Sequence, residues 1–277
     1  FAIDDQNVEQ EIKTKRFESG IDRIMAMNIV HFGFLNSYLS YASTTHIFKA
    51  LNVLKGLDDY LKLKNIRTSS TVMALGVAPV YPSEFDTYVE LMKQVFMPDL
   101  FVAIGHISYS DDGRQDCVIL PPSVYAFPTS FTAPYGHTLL ESVELLRHVD
   151  SIPDHPALVL SLSLHGRIYV PTHPDDDNPD NVGTFTVFNR CNDSDIVAPT
   201  EICSSHSPPG LRFNYVYNRI FYVAQSYDKK ARRTSTFESE EALIAKVCAT
   251  KETALALDFT IAAYDVDRDS SKALCSA

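Results

Sequence analysis

From end to end the chain alternates between short β-rich runs and amphipathic runs with helical spacing, the pattern of parallel strands joined by crossover helices. Ile24 to Phe34 reads as a buried strand, followed by a helical stretch with Ile47, Phe48, Leu51, Leu54, Leu57 and Leu61 on one face. Thr71 to Val77 reads as the next strand. Pro82, Ser83 and Glu84 then start a helix on which Phe85, Tyr88, Val89, Met92 and Val95 recur at helical spacing. Leu100 to Tyr109 follows as a strand, then a loop rich in Pro and Tyr where a ligand surface can be built, then a helix turning Leu139, Val143, Leu146 and Val149 inward. Ala157 to Val170 reads as one strand, Phe237 to Ala249 as a helix and Leu257 to Tyr264 as the last strand. A complete barrel of such units needs eight strands and eight helices, more than this series supplies. The expectation is a half-barrel, or a barrel that a second polypeptide or a second copy of the chain completes.

With 277 residues, one large domain spanning residues 1–277 accounts for the whole chain. A net charge of -11 repels phosphate backbones, which argues against nucleic acid as a partner. No run approaches the roughly 20 apolar residues of a membrane span. The chain opens on Phe1-Ala2-Ile3-Asp4, without an initiating Met or a signal segment, and reads as a mature or trimmed form. Cys117, Cys191, Cys203, Cys248 and Cys275 include no CxxC pair, so zinc is not suggested, and their odd number leaves one thiol free or bonded to another chain. Asn192-Asp193-Ser194 is an N-glycosylation acceptor in a polar stretch where a surface loop is expected.

Several blocks carry a family resemblance. Ala157-Leu158-Val159-Leu160-Ser161-Leu162-Ser163-Leu164-His165-Gly166-Arg167 resembles the seventh barrel strand of glycoside hydrolase family 18, with His165 in place of a Tyr. Thr200-Glu201-Ile202-Cys203 resembles that family's Glu-Ile-Cys segment. Tyr227-Asp228 and Phe237-Glu238-Ser239 match its Asp and the Ser-rich helix start that follows. Ala262-Ala263-Tyr264-Asp265-Val266-Asp267-Arg268-Asp269 is similar to its last strand and exit. The resemblance implies an α/β TIM (β/α)8 barrel of the chitinase type. Strands four to eight are evident, and a small α+β insertion or long loop at residues 170–219 lies between strands seven and eight. It also implies secretion to the extracellular space and a disulfide between Cys203 and Cys275.

Catalysis in that family needs carboxylates in the order Asp-x-x-Asp-x-Asp-x-Glu at strand four, with a Glu protonating the glycosidic oxygen. Set on Asp22, this register puts Met25, Met27 and Ile29 at the other positions, and no carboxylate occurs between Asp22 and Asp58. The family's Tyr-Asp pair on strand six becomes Tyr109-Ser110, and its sugar-stacking Trp on strand eight falls at Ala262, in a chain with 0 Trp. The resemblance therefore implies a pseudoenzyme with no catalytic residues and no cofactor. His31, Tyr109, Asp111, Arg167 and Tyr264 are the expected cleft-lining positions.

The acidic run His173 to Asp180 lacks the alternation and Gly of a calcium loop and reads as a solvated loop, so no metal is expected. Asp265, Asp267 and Asp269 read as structural or loop-capping, and His31, His106 and His165 as satisfied core histidines. The chain has no Gly-x-Ser-x-Gly elbow to make a nucleophile of a Ser. The reading is a secreted, non-catalytic chitinase-like glycoprotein that binds a glycan or a protein partner. The alternatives are one chain of a two-piece processed barrel, and a glycoside hydrolase on N-acetylglucosamine polymers with relocated acids.

Overall fold

The computed structural model describes residues 14–38, 44–66, 68–76, 83–107, 116–129, 131, 137–172, 183–204 and 206–268. Two compact units are present: residues 1–104 with 142–160 and 257–260, and residues 105–141 with 161–256 and 261–277. One five-stranded sheet has the order β1 (His31–Tyr38), β2 (Ser70–Gly76), β3 (Leu100–Ile104), β4 (Ala157–Ser163), β10 (Thr260–Tyr264), and the other the order β6 (Cys191–Val197), β5 (Gly166–Pro171), β9 (Arg233–Phe237), β8 (Val223–Asp228), β7 (Tyr215–Asn218).

Among the described residues, the first element of the first unit is helix α1 (Lys15–Met25), capped where the Thr14 hydroxyl accepts from the Phe17 N–H. This corrects the expectation of a strand from Ile24: Ile24 and Met25 are helical, and strand β1 runs over His31–Tyr38. A salt bridge and a hydrogen bond hold α1 from outside its own sequence, with Asp22 meeting Lys64 at 3.1 Å and accepting from the Tyr60 hydroxyl at 2.9 Å. The Asp22 register of the acidic motif therefore starts on a helix, and β1, with the sequence HFGFLNSY, carries no carboxylate.

Helix α2 (Thr44–Leu63) buries Ile47, Leu51, Leu54, Leu57 and Leu61 as its spacing requires, whereas Phe48 is 41% exposed and lies off that face. Strands β2 (Ser70–Gly76), β3 (Leu100–Ile104) and β4 (Ala157–Ser163) follow β1 in sequence order, each pairing in parallel with the strand before it. Gly33 faces Val72 across β1 and β2, and a Cβ there would stand 2.6 Å from the Val72 Cβ, so only Gly lets the strands meet at this register. Asp99 ties β2 to β3 by accepting from the Thr71 N–H at 2.7 Å and the Thr71 hydroxyl at 2.9 Å. Helix α3 (Ser83–Gln94) buries Phe85, Tyr88, Val89 and Met92, and α4 (Leu139–Asp150) buries Leu139, Val143, Leu146 and Val149, as expected. The start of α4 is a reciprocal capping box: Glu141 accepts from the Thr138 N–H and the Thr138 hydroxyl accepts from the Glu141 N–H.

The expected strand Ala157–Val170 is two strands in two sheets. β4 ends at Ser163, and β5 (Gly166–Pro171) starts after a break at Leu164-His165. Strands β6 (Cys191–Val197), β7 (Tyr215–Asn218), β8 (Val223–Asp228) and β9 (Arg233–Phe237) join β5 in the antiparallel sheet. Short helices α5 (Pro199–Ile202) and α6 (Pro209–Phe213) start on prolines that need no N–H partner. Phe237 ends β9 and does not begin a helix, because α7 (Glu240–Thr253) starts only after the Ser239 hydroxyl has capped the Ala242 N–H. Strand β10 (Thr260–Tyr264) closes the first sheet, and β3 ends at Ile104, short of the expected Tyr109.

A disulfide joins Cys117 to Cys191 in the second unit, and Cys248 is free and exposed. Cys203 is also disulfide-bonded, while its expected partner Cys275 lies outside the described residues.

Candidate functional site

In the second unit the ends of β4 and β10 bring a buried polar cluster together. The Ser161 hydroxyl accepts from the Gly105 N–H at 2.9 Å and meets Nδ1 of His106 at 2.7 Å. Nε2 of His137 donates to the His106 carbonyl at 2.8 Å, which fixes the proton of that imidazole on Nε2. The Tyr264 ring lies 4.4 Å from the His106 ring, centroid to centroid. Beside them, the Asp265 carboxylate accepts from the Ser163 hydroxyl and lies 3.0 Å from Nδ1 of His165. Asp265 itself has φ 55°, a left-handed conformation that Asp tolerates and that turns the chain sharply out of β10.

The electrostatics follow from this packing. Bonds from His165 and Ser163 hold the Asp265 carboxyl down at about 2, against desolvation. Burial lowers His106 to about 3, with His137 adding to the fall, and burial lowers His137 to about 4. Burial also lowers His165, although its bond to Asp265 opposes the shift. Tyr264 is raised to about 12, first by desolvation and then by the Asp265 charge. Asp265 is thus ionised at neutral pH while the imidazoles are uncharged. His165 carries its proton on Nδ1, and its Nε2, like that of His106, has no hydrogen-bond partner among the described residues.

Ser163, His165 and Asp265 have the residue types of a hydrolytic triad but not its connectivity. In a triad the Asp takes Nδ1 and the Ser takes Nε2, so that the imidazole can receive the hydroxyl proton. Here Ser163 and Asp265 share the Nδ1 side, and the Ser163 proton points to a carboxylate that has no tendency to accept it fully. The cluster is a buried anchor between strand ends.

Of the sequence-predicted cleft residues, His31 lies in the first unit, exposed, with Nδ1 at 2.6 Å from the Ser70 hydroxyl. Tyr109 and Asp111 lie outside the described residues, as does the acidic run 173–180. Arg167 is fully buried, donating from Nε to the Tyr169 hydroxyl at 2.5 Å and from Nη1 to the Ile107 carbonyl at 3.3 Å. Tyr264 is half-buried against His106. The Asp265–His165 contact was missed by sequence reasoning. The available signal was that both are polar residues at the exits of strands that the resemblance numbers seven and eight, which neighbour each other in a barrel.

A second feature of this unit is an open cavity of about 570 Å³ between the β7–β8 hairpin and the first turns of α7, lined by Tyr217, Arg219, Tyr222, Glu240, Glu241 and Ile244. Tyr222 stands at φ 54° and packs edge-on against Tyr125, ring centroids 5.2 Å apart. Two phenol rings, one guanidinium and two carboxylates around an aliphatic floor offer stacking faces together with hydrogen-bond donors and acceptors.

No protein-family model matches the chain, and no curated protein does. Solved structures do. A chitinase-like agglutinin from Robinia pseudoacacia is 13% identical with a TM-score of 0.62, covering 96% of this chain and 73% of its own. An immunomodulatory active chitinase from Trichuris suis is 10% identical with a TM-score of 0.63, covering 95% of this chain and 70% of its own. Human YKL-39, a pseudo-chitinase with retained chitooligosaccharide binding properties, is 10% identical with a TM-score of 0.64, covering 93% of this chain and 69% of its own. At these identities the likeness is one of fold: the chain has the α/β fold, with a parallel half-barrel sheet, of the family 18 chitinases and chitinase-like proteins.

Proposed function

We propose that the chain is a secreted, non-catalytic chitinase-like protein that binds a glycan. The observation that carries this reading is the state of Asp265. A glycosidase acid is a carboxyl whose pKa is raised so that it keeps a proton to give to the leaving oxygen. Asp265 is shifted the other way, to about 2, with Ser163 and His165 bonded to it. The β1 sequence, which has no Asp or Glu, supports the same conclusion.

Glycan recognition is supported by the cavity, where Tyr217 or Tyr222 can cover the apolar face of a sugar ring while Arg219, Glu240 and Glu241 meet its hydroxyls. Human YKL-39 is a pseudo-chitinase of this fold with retained chitooligosaccharide binding. Prolonged incubation with N-acetylglucosamine oligomers, followed by mass spectrometry of the products, tests the non-catalytic half: the oligomers are expected intact. Shortened products that disappear with Asp265→Asn would overturn it.

One observation favours a two-piece or paired assembly as a second reading. Among the described residues β1 pairs only with β2, the position of an edge strand in the sheet. Light scattering coupled to size exclusion decides this, since a single chain of 31.0 kDa would exclude it.

A further inference from the structure

We propose that Asn192 is an N-glycan acceptor that is modified before β6 docks onto β5. Asn192-Asp193-Ser194 has the acceptor pattern, and the structure puts Asn192 where a glycan has room. The β5–β6 register passes from Val170 opposite Asp193 to Pro171 opposite Cys191, so Asn192 is the extra residue of a bulge on an edge strand. Its side chain is exposed and accepts from the Thr172 hydroxyl at 3.2 Å.

Ser194 is in the opposite situation. Its hydroxyl must be reachable for transfer, yet in the folded strand Ser194 is 2% exposed and meets Nη2 of Arg167 at 3.4 Å. Folded β6 is therefore not a substrate. Cys191 precedes the acceptor, and its disulfide to Cys117, with the Cys191 N–H donating to the Cys117 carbonyl at 2.9 Å, fixes the start of β6. Disulfide closure ends the interval in which transfer is possible. Both reactions belong to an oxidising secretory compartment, which the Cys117–Cys191 bond independently favours.

In the transfer step Nδ2 of Asn192 attacks C1 of a polyprenyl-pyrophosphate-linked oligosaccharide. The N–C1 bond forms, the C1–O bond to the pyrophosphate breaks, the lipid pyrophosphate leaves and the amide gives up one proton.

The test is the full chain made in the secretory pathway of cultured eukaryotic cells, with the total product, cell-associated and secreted, digested and treated with peptide N-glycosidase in heavy-oxygen water. The Asn192 peptide is expected to return as labelled Asp, to lose the label in Ser194→Ala, and to show higher occupancy in Cys117→Ser. An unlabelled Asn192 peptide in both the unaltered chain and Cys117→Ser would overturn the site. Equal occupancy in those two chains would overturn the order of events.

Discussion

Asp265 concentrates the chemistry of the strand-end cluster in one carboxylate with two partners, Ser163 and His165. Replacing it by Asn removes the charge and leaves the two with one neutral acceptor. We expect a loss of about 1–3 kcal/mol in urea unfolding, and a further fall of the His165 pKa by NMR, because its main raising influence is gone. An unchanged unfolding midpoint would show that the contact carries no stability. Acid should act on the same cluster through the histidines. His106 and His137 sit at about 3 and about 4, below the ordinary 6.5, so the unfolded chain takes up their protons first. Neither contributes above pH 6.5, and stability is lost as pH falls from there toward 4 and 3, by up to about 1.4 kcal/mol per pH unit for each. Asp265, depressed from 3.8, keeps its full contribution above that value and loses it only as pH falls through about 2. Urea midpoints at pH 7, 6, 5 and 4 separate the two, and a flat profile over that range would contradict the buried neutral histidines.

At the scale of elements, α7 was legible as a helix, read from Phe237 to Ala249, but its bounds and its inward face were not. Its buried stripe is Ala242, Lys246 and Thr250, so the face turned inward is mostly polar and the helix has no apolar periodicity to detect. What makes the stripe tolerable is Glu238 at the end of β9, whose carboxylate takes Lys246 Nζ at 2.6 and 2.7 Å and the Ser123 N–H at 3.0 Å. Burial lowers the Lys246 pKa and Glu238 opposes the fall. Lys246→Ala leaves a buried carboxylate without its cation and should cost about 3–5 kcal/mol, whereas Lys246→Met with Glu238→Leu should cost clearly less. Equal losses would show that the pair acts as mere volume. The faces of α2 and α4 were legible because their apolar residues repeat at helical spacing, and β2 and β3 because they are short apolar runs between turn signals. Ile24 to Phe34 was not, since an apolar run has no period to separate helix from strand, and Tyr60 and Lys64 hold α1 from far along the chain. The break at Leu164-His165 was hidden for a similar reason: Asp265 captures Ser163 and His165 from a hundred residues away.

For the whole molecule, the order of β and α elements was enough to reach an α/β fold with parallel strands, and the blocks around Ala157 and Ala262 pointed to the chitinase type that the solved structures share. The second sheet reaches beyond the stretch 170–219, because β5, β8 and β9 pair across it. The Cys117–Cys191 disulfide closes a separation of 74 residues, for which loop entropy gives about 4 kcal/mol. Cys117→Ser with Cys191→Ser should lower the unfolding free energy by about 2–4 kcal/mol. No loss in chemical denaturation would mean that the unfolded chain is already compact there. The most direct test of the central claim is calorimetric titration of the intact chain with an N-acetylglucosamine tetrasaccharide, with the recovered sugar weighed for cleavage. The account predicts saturable binding that Tyr222→Ala weakens about tenfold, near 1.4 kcal/mol, with the tetrasaccharide returned whole. Absence of binding, or a cleaved sugar, would contradict it.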